Sequence, residues 1–265
     1  MEVVPLPATS EDRKIFRNLL KAIRRQDYSA EPLGELVLAV GVSFLGTPYV
    51  SNTLECDGRE KLIINLRQLD CFTFVENVVT LARLVRSGGG SFRDFISALE
   101  NIRYRKGVLN GYASRLHYFS DWLYDNQEKG ILKDISSMAG GEPFVKKINF
   151  MTSNRIMYPA LQSEMEFERM LVTENVCSRH NLYYIPNAKL KAGAEKIKNG
   201  DLIGITTNIE GLDVLHTGIA VQFKRGLHLL HASSKEGRVI ISGETLYRYL
   251  NLRKSRSGLM VARAL

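Results

Sequence analysis

Residues 69–86, running Leu69-Asp70-Cys71-Phe72-Thr73-Phe74-Val75-Glu76 and on to Arg86, constrain the chain most, because they read as a helix that starts at a cysteine. Asp70 is a good N-cap, since its side-chain oxygen can accept an orphan backbone N–H of the first turn. Phe74, Val75, Val78, Leu81, Ala82 and Val85 recur at three- and four-residue spacing and make one broad apolar face. Ser87-Gly88-Gly89-Gly90 then stops the helix. Cys71 therefore falls on the first helical residue. There the helix dipole and free backbone N–H groups are expected to favour thiolate over thiol. Those N–H groups are also expected to hold a developing oxyanion. The bland alternative is that Cys71 is inert packing, as most lone cysteines on apolar helices are.

The rest of the chain splits into an earlier helical part and a later β-rich part. Residues 8–29 open with Thr9-Ser10-Glu11-Asp12 and predict a capped amphipathic helix; 32–45 predict a second, broken by Gly46-Thr47-Pro48-Tyr49. Residues 60–66 alternate like a short strand leading to Cys71. Residues 91–135 read as mostly helical, 136–150 as irregular or extended, and 155–172 as a further helix. Strand-prone runs follow at 183–186, 201–206, 213–223, 227–233 and 238–242. Helices first and strands later argue an α+β fold rather than a repeating β-α wrap. A single catalytic domain over 1–265 is expected, with 1–90 carrying the N-terminal and nucleophile helices, 91–172 a helical insertion and 181–265 the β-sheet half.

The 36 basic and 28 acidic side chains leave a net charge of +8. The basic residues are scattered, without the stripe that a duplex-binding surface needs, so no nucleic-acid partner is expected. Cys56, Cys71 and Cys177 make no disulfide framework. No C-x-x-C or His/Cys cluster suggests zinc, and neither a metal nor an organic cofactor is expected. Nothing reaches the length of a membrane span, and a monomer is expected. Met1-Glu2-Val3-Val4-Pro5 lacks a basic start followed by an apolar run, so no signal peptide is visible.

Five histidines are available to a thiol: His117, His180, His216, His228 and His231. In Asp213 to Phe223, the odd residues from Leu215 are the bulkier apolar ones, while His216, Gly218 and Ala220 face the other way. Such a small-residue face suits the close approach of a helix start or a ligand. The next strand, Leu227 to Ser233, brings His231. A three-residue loop, Lys224 to Gly226, would set His231 opposite Ile219 and on the wrong face. A four-residue loop, Phe223 to Gly226, would set it opposite Gly218, with His216 a same-face diagonal neighbour at roughly 7–8 Å. An even loop or a compensating bulge is expected. Cys71 would then be the nucleophile, His216 its base and His231 the group that orients His216. Taken blind, such a pair is more often two satisfied core or rim histidines, and His180 and His228 are left in that class.

These residues resemble a family. Asp70-Cys71 at a helix start, His216-Thr217-Gly218-Ile219 on a strand and Leu230-His231-Ala232-Ser233 on the next look like the NlpC-type cell-wall cysteine hydrolases, a papain-like superfamily. Gly46-Thr47-Pro48-Tyr49 and Gly200-Asp201-Leu202-Ile203 are similar to that family's turn before the nucleophile and its strand entry. The chain resembles the N-acetylmuramoyl-L-alanine amidase-like branch across nearly its whole length. The matching stretches include Leu69 to Glu76, Ser114-Arg115-Leu116-His117-Tyr118 with Asp121-Trp122, and Gly211 to His216.

The resemblance implies a papain-like (NlpC-type) core, with the nucleophile helix packed on an antiparallel sheet and a mainly helical insertion. It implies hydrolysis of the amide between N-acetylmuramic acid and L-alanine in peptidoglycan fragments, through a thioester. By family role Cys71, His216 and His231 carry over as the triad and Tyr49 as a site tyrosine. Asp70 is expected chiefly as the cap. Arg115, His117 and Tyr118 are expected to wall the cleft, with Arg115 on a substrate carboxylate and Tyr118 stacking on sugar. Trp122 reads as core. Phe72-Thr73 depart from the superfamily's usual Ser-Gly, which fits a sugar where relatives hold a free amine. The resemblance implies a periplasmic or envelope location, while the chain's own start leaves the cytoplasm open. The alternatives are an endopeptidase between D-glutamate and a diamino acid, and a catalytically inactive muropeptide-binding protein.

Overall fold

The computed structural model describes residues 8–56 and 58–265; the Met1–Pro5 start, read above for a leader, lies outside them. Helix α1 (Ser10–Ile23) begins at a reciprocal cap between Thr9 and Asp12 and buries Phe16, Leu19, Leu20 and Ile23. Next come α2 (Leu33–Val42), α3 (Cys71–Arg86), α4 (Phe92–Arg103) and α5 (Phe119–Glu128), then the short strands β1 (Leu132–Asp134) and β2 (Glu142–Pro143). Helices α6 (Phe150–Ser153) and α7 (Glu164–Cys177), strand β3 (Tyr183–Pro186) and the one-turn α8 (Leu190–Gly193) lead into the main sheet. The sheet is completed by β4 (Leu202–Thr207), β5 (Val214–Phe223), β6 (Gly226–Ser233), β7 (Arg238–Ile241) and β8 (Arg256–Ala264), with α9 (Leu246–Asn251) between the last two.

The sheet runs β2-β3-β8-β4-β5-β6-β7, with β1 also on β8, and every ladder is antiparallel. Alternation along the strands feeds two cores. Leu202, Ile219, Leu230, Met260 and Ala262 face α1 to α5, meeting Phe74, Val75 and Val78 of α3. Ile203, Ile205, Leu229, Leu259 and Val261 face the other way, onto Leu190, Leu246 and Leu250. Helix α2 approaches so closely that a Cβ at Gly41 would lie 2.8 Å from Leu230 Cδ2. A mixed α+β fold with an antiparallel sheet is what the helix-then-strand order predicts. No helix among the described residues is long and apolar enough to cross a membrane.

Three expectations are corrected. Residues 60–66 bury Leu62, Ile64 and Leu66 alternately but pair with no strand. Side chains take the ladder's place: Arg103 Nη1 donates to Ile63 O at 2.6 Å, Tyr104 Oη to Lys61 O at 3.2 Å, and Asp12 Oδ1 accepts Leu66 N–H at 2.9 Å. The helix expected at 155–172 starts only at Glu164, after 3₁₀ turns that include Pro159, and runs on to Cys177. Tyr112 to Leu116 are not continuous with α5, which begins at Phe119. Strand β8 and helix α9 have no counterpart in the sequence reading, although β8 lies between β3 and β4 in the sheet.

Glu76, in the second turn of α3, accepts from Arg103 Nε at 2.8 Å, and both side chains are almost wholly buried. This pair locks α4 and the 60–66 segment onto the helix that carries Cys71. Arg103→Ala leaves a buried carboxylate without its partner and is expected to cost about 3–5 kcal/mol in urea unfolding. Replacing both residues by apolar ones, Glu76→Leu with Arg103→Met, should recover most of that loss. A single-variant cost below about 1 kcal/mol, the range of exposed pairs, would contradict this role.

Candidate active site

The start of α3 is built as the cap signal requires. Asp70 Oδ1 accepts the N–H groups of Phe72 and Thr73 at 3.0 and 2.7 Å, and Thr73 Oγ1 accepts Asp70 N–H at 2.9 Å. The N–H of Phe74 goes to Asp70 O. Only the N–H of Cys71 itself, among the first-turn donors, has no protein acceptor among the described residues. Several free N–H groups were expected; the cap consumes all but one. Thr217 Oγ1 donates to Cys71 O at 2.7 Å and ties the helix start to β5.

The β5–β6 hairpin turns through two residues, Lys224 and Arg225, between the pair Phe223 and Gly226. This even turn rules out the three-residue register. Continued past Ile219 and Leu230, the ladder sets His231 across from Gly218. His216 Nε2 lies 2.6 Å from His231 Nδ1, with the rings near perpendicular. The irregularity falls instead between β4 and β5, where Ile205 pairs with His216 and Thr206 with Val214. Leu215 is thus the extra residue of a bulge, a device that re-aims neighbouring side chains. Gly218 is small for a different reason than expected. A Cβ there would meet Leu230 O at 2.8 Å and the Leu229 side chain, so the neighbouring strand, not a helix or a ligand, demands the glycine.

The histidine pair defines a proton order. Its bond uses His216 Nε2, which leaves Nδ1 as the nitrogen that can accept from a thiol. For neutral His216 to accept there, Nε2 carries the hydrogen and donates to His231 Nδ1. His231 then holds its own hydrogen on Nε2, which is buried without a partner among the described residues.

Cys71, Leu215, His216 and Thr217 line one cavity of about 200 Å³, together with Glu55, Phe72, Tyr112, His117, Tyr158 and others. Burial, then the neighbouring Asp70 carboxylate, push the Cys71 thiol up to about 11, and hydrogen bonding from Thr217 offsets only part of this. The expected thiolate is therefore corrected: the helix start does not overcome burial and Asp70, and the resting group is a thiol. Burial lowers His216 to about 3, helped by His231 and Arg256. Burial and Arg256 lower His231 to about 4. The resting site is a neutral thiol beside two neutral imidazoles.

The remaining expected contacts divide. Tyr49, half-buried, is bridged by its backbone to Leu69, next but one before Cys71, and burial with the charges of Cys71 and Asp70 raises its phenol. His117 lines the cavity, its Nε2 2.9 Å from Tyr112 O. Arg115 is not available to a substrate carboxylate: it is buried, and holds Leu54 O at 2.8 Å and Glu55 Oε1 at 2.5 Å, with Glu60 at 3.6 Å. Tyr118 borders the cavity but is 3% exposed, and its hydroxyl donates to Glu174 at 2.6 Å, so it has no face to offer a sugar. Asp70 Oδ1 is spent in the cap. Phe72 packs edge-on against Phe119 and the fully buried Trp122. Sequence reasoning missed Glu55, in a stretch without periodicity, and Tyr112 and Tyr158, which it read as parts of helices and which lie in or beside 3₁₀ turns. It also missed Tyr249 on the unexpected α9, whose ring lies 5.7 Å from His231.

Contrary to the expectation of no His/Cys cluster, Asp121, Cys177 and His180 converge within 4.8 Å of one another. Arg105 already grips both Asp121 oxygens, at 2.8 and 2.7 Å, and its charge occupies the place that a cation would need. The cluster is an internal ion network, with His180 stacked on Tyr124. His228 Nδ1 lies 2.9 Å from Ser242 O, outside the site. A further cavity of about 510 Å³ along α7 is lined by none of the site residues.

An α+β protein with a thiol and an imidazole on one cavity, and a second imidazole bonded behind the first, is the class that fold and site define. The family model described as AmiA-like, N-acetylmuramoyl-L-alanine amidase-like, matches residues 39–258. The chain belongs to this family. An N-acetylmuramoyl-L-alanine amidase from Bacteroides uniformis is 37% identical, with a TM-score of 0.83 over 88% of this chain and 99% of its own. A Bacteroides fragilis protein provisionally named a xylanase is 41% identical, with a TM-score of 0.80 over 84% and 98%. A Legionella pneumophila protein, 23% identical, shares the fold with a TM-score of 0.73 over 96% and 95%. No curated protein matches the chain in sequence.

The lowered histidines have a stability consequence. As pH falls below the ordinary histidine value near 6.5, the unfolded chain takes up protons that the folded pair refuses until about 4 and then 3. Their contribution is thus fully present above about 6.5 and is lost progressively as pH falls towards 3. The urea midpoint should fall over this window less steeply in His231→Asn than in wild type. Equal slopes would contradict neutral burial of the pair.

Proposed function

We propose that the chain is a cysteine amidase that hydrolyses the N-acetylmuramoyl–L-alanine amide bond of peptidoglycan fragments through a thioester, on a papain-like (NlpC-type) core. The observation that carries this is that His216, bonded to His231 at 2.6 Å, lines the same cavity as Cys71 at the start of α3. With the thiol and imidazole neutral at rest, His216 Nδ1 takes the Cys71 proton as sulfur attacks the lactyl carbonyl. His216 Nε2–H, donated to His231, holds the ring in place and stabilises the imidazolium that forms. The free Cys71 N–H and the Tyr49 hydroxyl are the donors for the oxyanion. The imidazolium protonates the leaving L-alanine amine, leaving the muramoyl group on sulfur. His216 then activates water to release it.

The xylanase name of one neighbour brings a rival reading. A glycosidase needs two carboxyl groups flanking the bond. Of the cavity's two acids, Asp213 is 1% exposed and binds the backbone N–H groups of Ser120 and Val214, which leaves Glu55 alone. The amidase reading fits the lining better. The family and the cell-wall substrate support the envelope as the place of action.

Mass spectrometry of products from a disaccharide-tetrapeptide tests this. Release of an intact peptide beginning with L-alanine is expected, with Cys71→Ala inactive and His216→Ala slowed about 10²–10⁴-fold. A disaccharide-dipeptide product would make the chain an endopeptidase, and no product would favour a binding protein.

The pH profile is a separate test. With His216 near 3 and the thiol near 11 in the free protein, kcat/KM should be level across neutral pH, its acid limb falling only below about pH 4. An inflection between pH 6 and 7 would contradict the neutral resting site.

A further inference from the structure

Two cavities meet at His216. The one holding Cys71 is rich in aromatic rings and has no guanidinium in its lining, and Arg115, which pairs with the lining residue Glu55, is already neutralised by Glu55 and Glu60. The other, about 450 Å³, shares Leu215 and His216 with it and continues past His231, Tyr249, Arg253 and Arg256. Its charges are uneven. Lys235 pairs with Glu236 at 3.8 Å, and Glu244 with Arg248 at 3.0 Å. Arg253 and Arg256 have no carboxylate partner among the described residues. Arg256 is held ready: its guanidinium lies 3.9 Å over the Tyr249 ring and donates to Tyr249 O. The Tyr249 ring lies 6.4 Å from His216 and 5.7 Å from His231, so this cavity opens beside the histidine pair.

We propose that the second cavity receives the carboxylates of the leaving peptide, selected by Arg253 and Arg256, while the aromatic cavity takes the sugar. This rests on the amidase reading and gives it a direction. The amide under attack has an uncharged, hydroxyl-rich acyl side and an acidic stem-peptide side. A carboxylate beside Glu55 would be repelled, whereas two guanidinium groups without a carboxylate partner among the described residues offer charge-assisted hydrogen bonds. His216, the wall common to both cavities, then stands at the scissile bond between them. In this arrangement the proton that His216 returns to the leaving amine is delivered on the side where the peptide departs.

The test compares N-acetylmuramoyl-L-Ala-D-Glu with the same compound whose two glutamate carboxyls are carboxamides. Wild type should cleave the acid form with a kcat/KM at least about tenfold higher, the scale of one charge-assisted hydrogen bond. Arg253→Gln and Arg256→Gln should each shrink that ratio, and the double variant should bring it to about one while still cleaving the diamide. Arg256→Lys should keep most of the preference. Arg253 is exposed, so Arg253→Glu reads the charge effect even where an Arg256 variant fails to fold, and should lower the ratio further than Arg253→Gln. A wild-type ratio near one, or a ratio unchanged by the double variant and by Arg253→Glu, overturns the proposal while leaving the amidase intact. Cleavage of neither compound by wild type overturns the amidase reading and this inference with it.

Discussion

Asp70 accepts the N–H groups of Phe72 and Thr73, and that cap decides at which residue α3 begins. One residue earlier, Cys71 would be the second helical residue, whose N–H a cap side chain takes; one residue later, the thiol would stand outside the helix. The cap alone would leave α3 free to slide on the sheet. Thr217, donating to the Cys71 carbonyl, fixes the helix start against β5, and the buried Glu76–Arg103 pair fixes the next turn against α4. The strand that supplies Thr217 also supplies His216, so the thiol and the imidazole proposed as nucleophile and base share one mechanical reference.

The same packing sets the electrostatics. Burial acts in opposite directions on the two kinds of group: it raises an acid and lowers a base. The site therefore rests uncharged, and charge separation belongs to the reaction rather than to the ground state. A neutral His231 is a weaker orienter than a carboxylate, but it places no second charge in a dense environment. Arg256, near both imidazoles, works against protonation of either and reinforces the neutral state.

What was legible in the sequence was local. The Asp70 cap, the apolar stripe of α3 and the Thr9–Asp12 start of α1 each need only neighbouring residues. The β5–β6 register needed one further fact, the parity of a turn, and alternation narrowed it to two choices. What escaped depends on distant partners. Residues 60–66 alternate like a strand, yet Arg103, Tyr104 and Asp12 satisfy their backbone. Strand β8 is apolar on both faces because the sheet is covered on both sides, so the alternation that marks an exposed face is missing. Arg115 was expected at a substrate, but the acids of the 54–60 segment hold it. The thiol was expected to be acidic from helix position alone, and burial with Asp70 outweighs that.

The central claim is that Cys71 carries the acyl group, and trapping that species tests it most directly. Wild-type protein mixed with a muramoyl-L-alanyl peptide, quenched in acid within the first turnovers and measured intact, should gain the mass of the muramoyl group. The adduct should map to Cys71, disappear on neutral hydroxylamine and be absent in Cys71→Ala. Turnover without an adduct, retained in full by Cys71→Ala, would contradict the account.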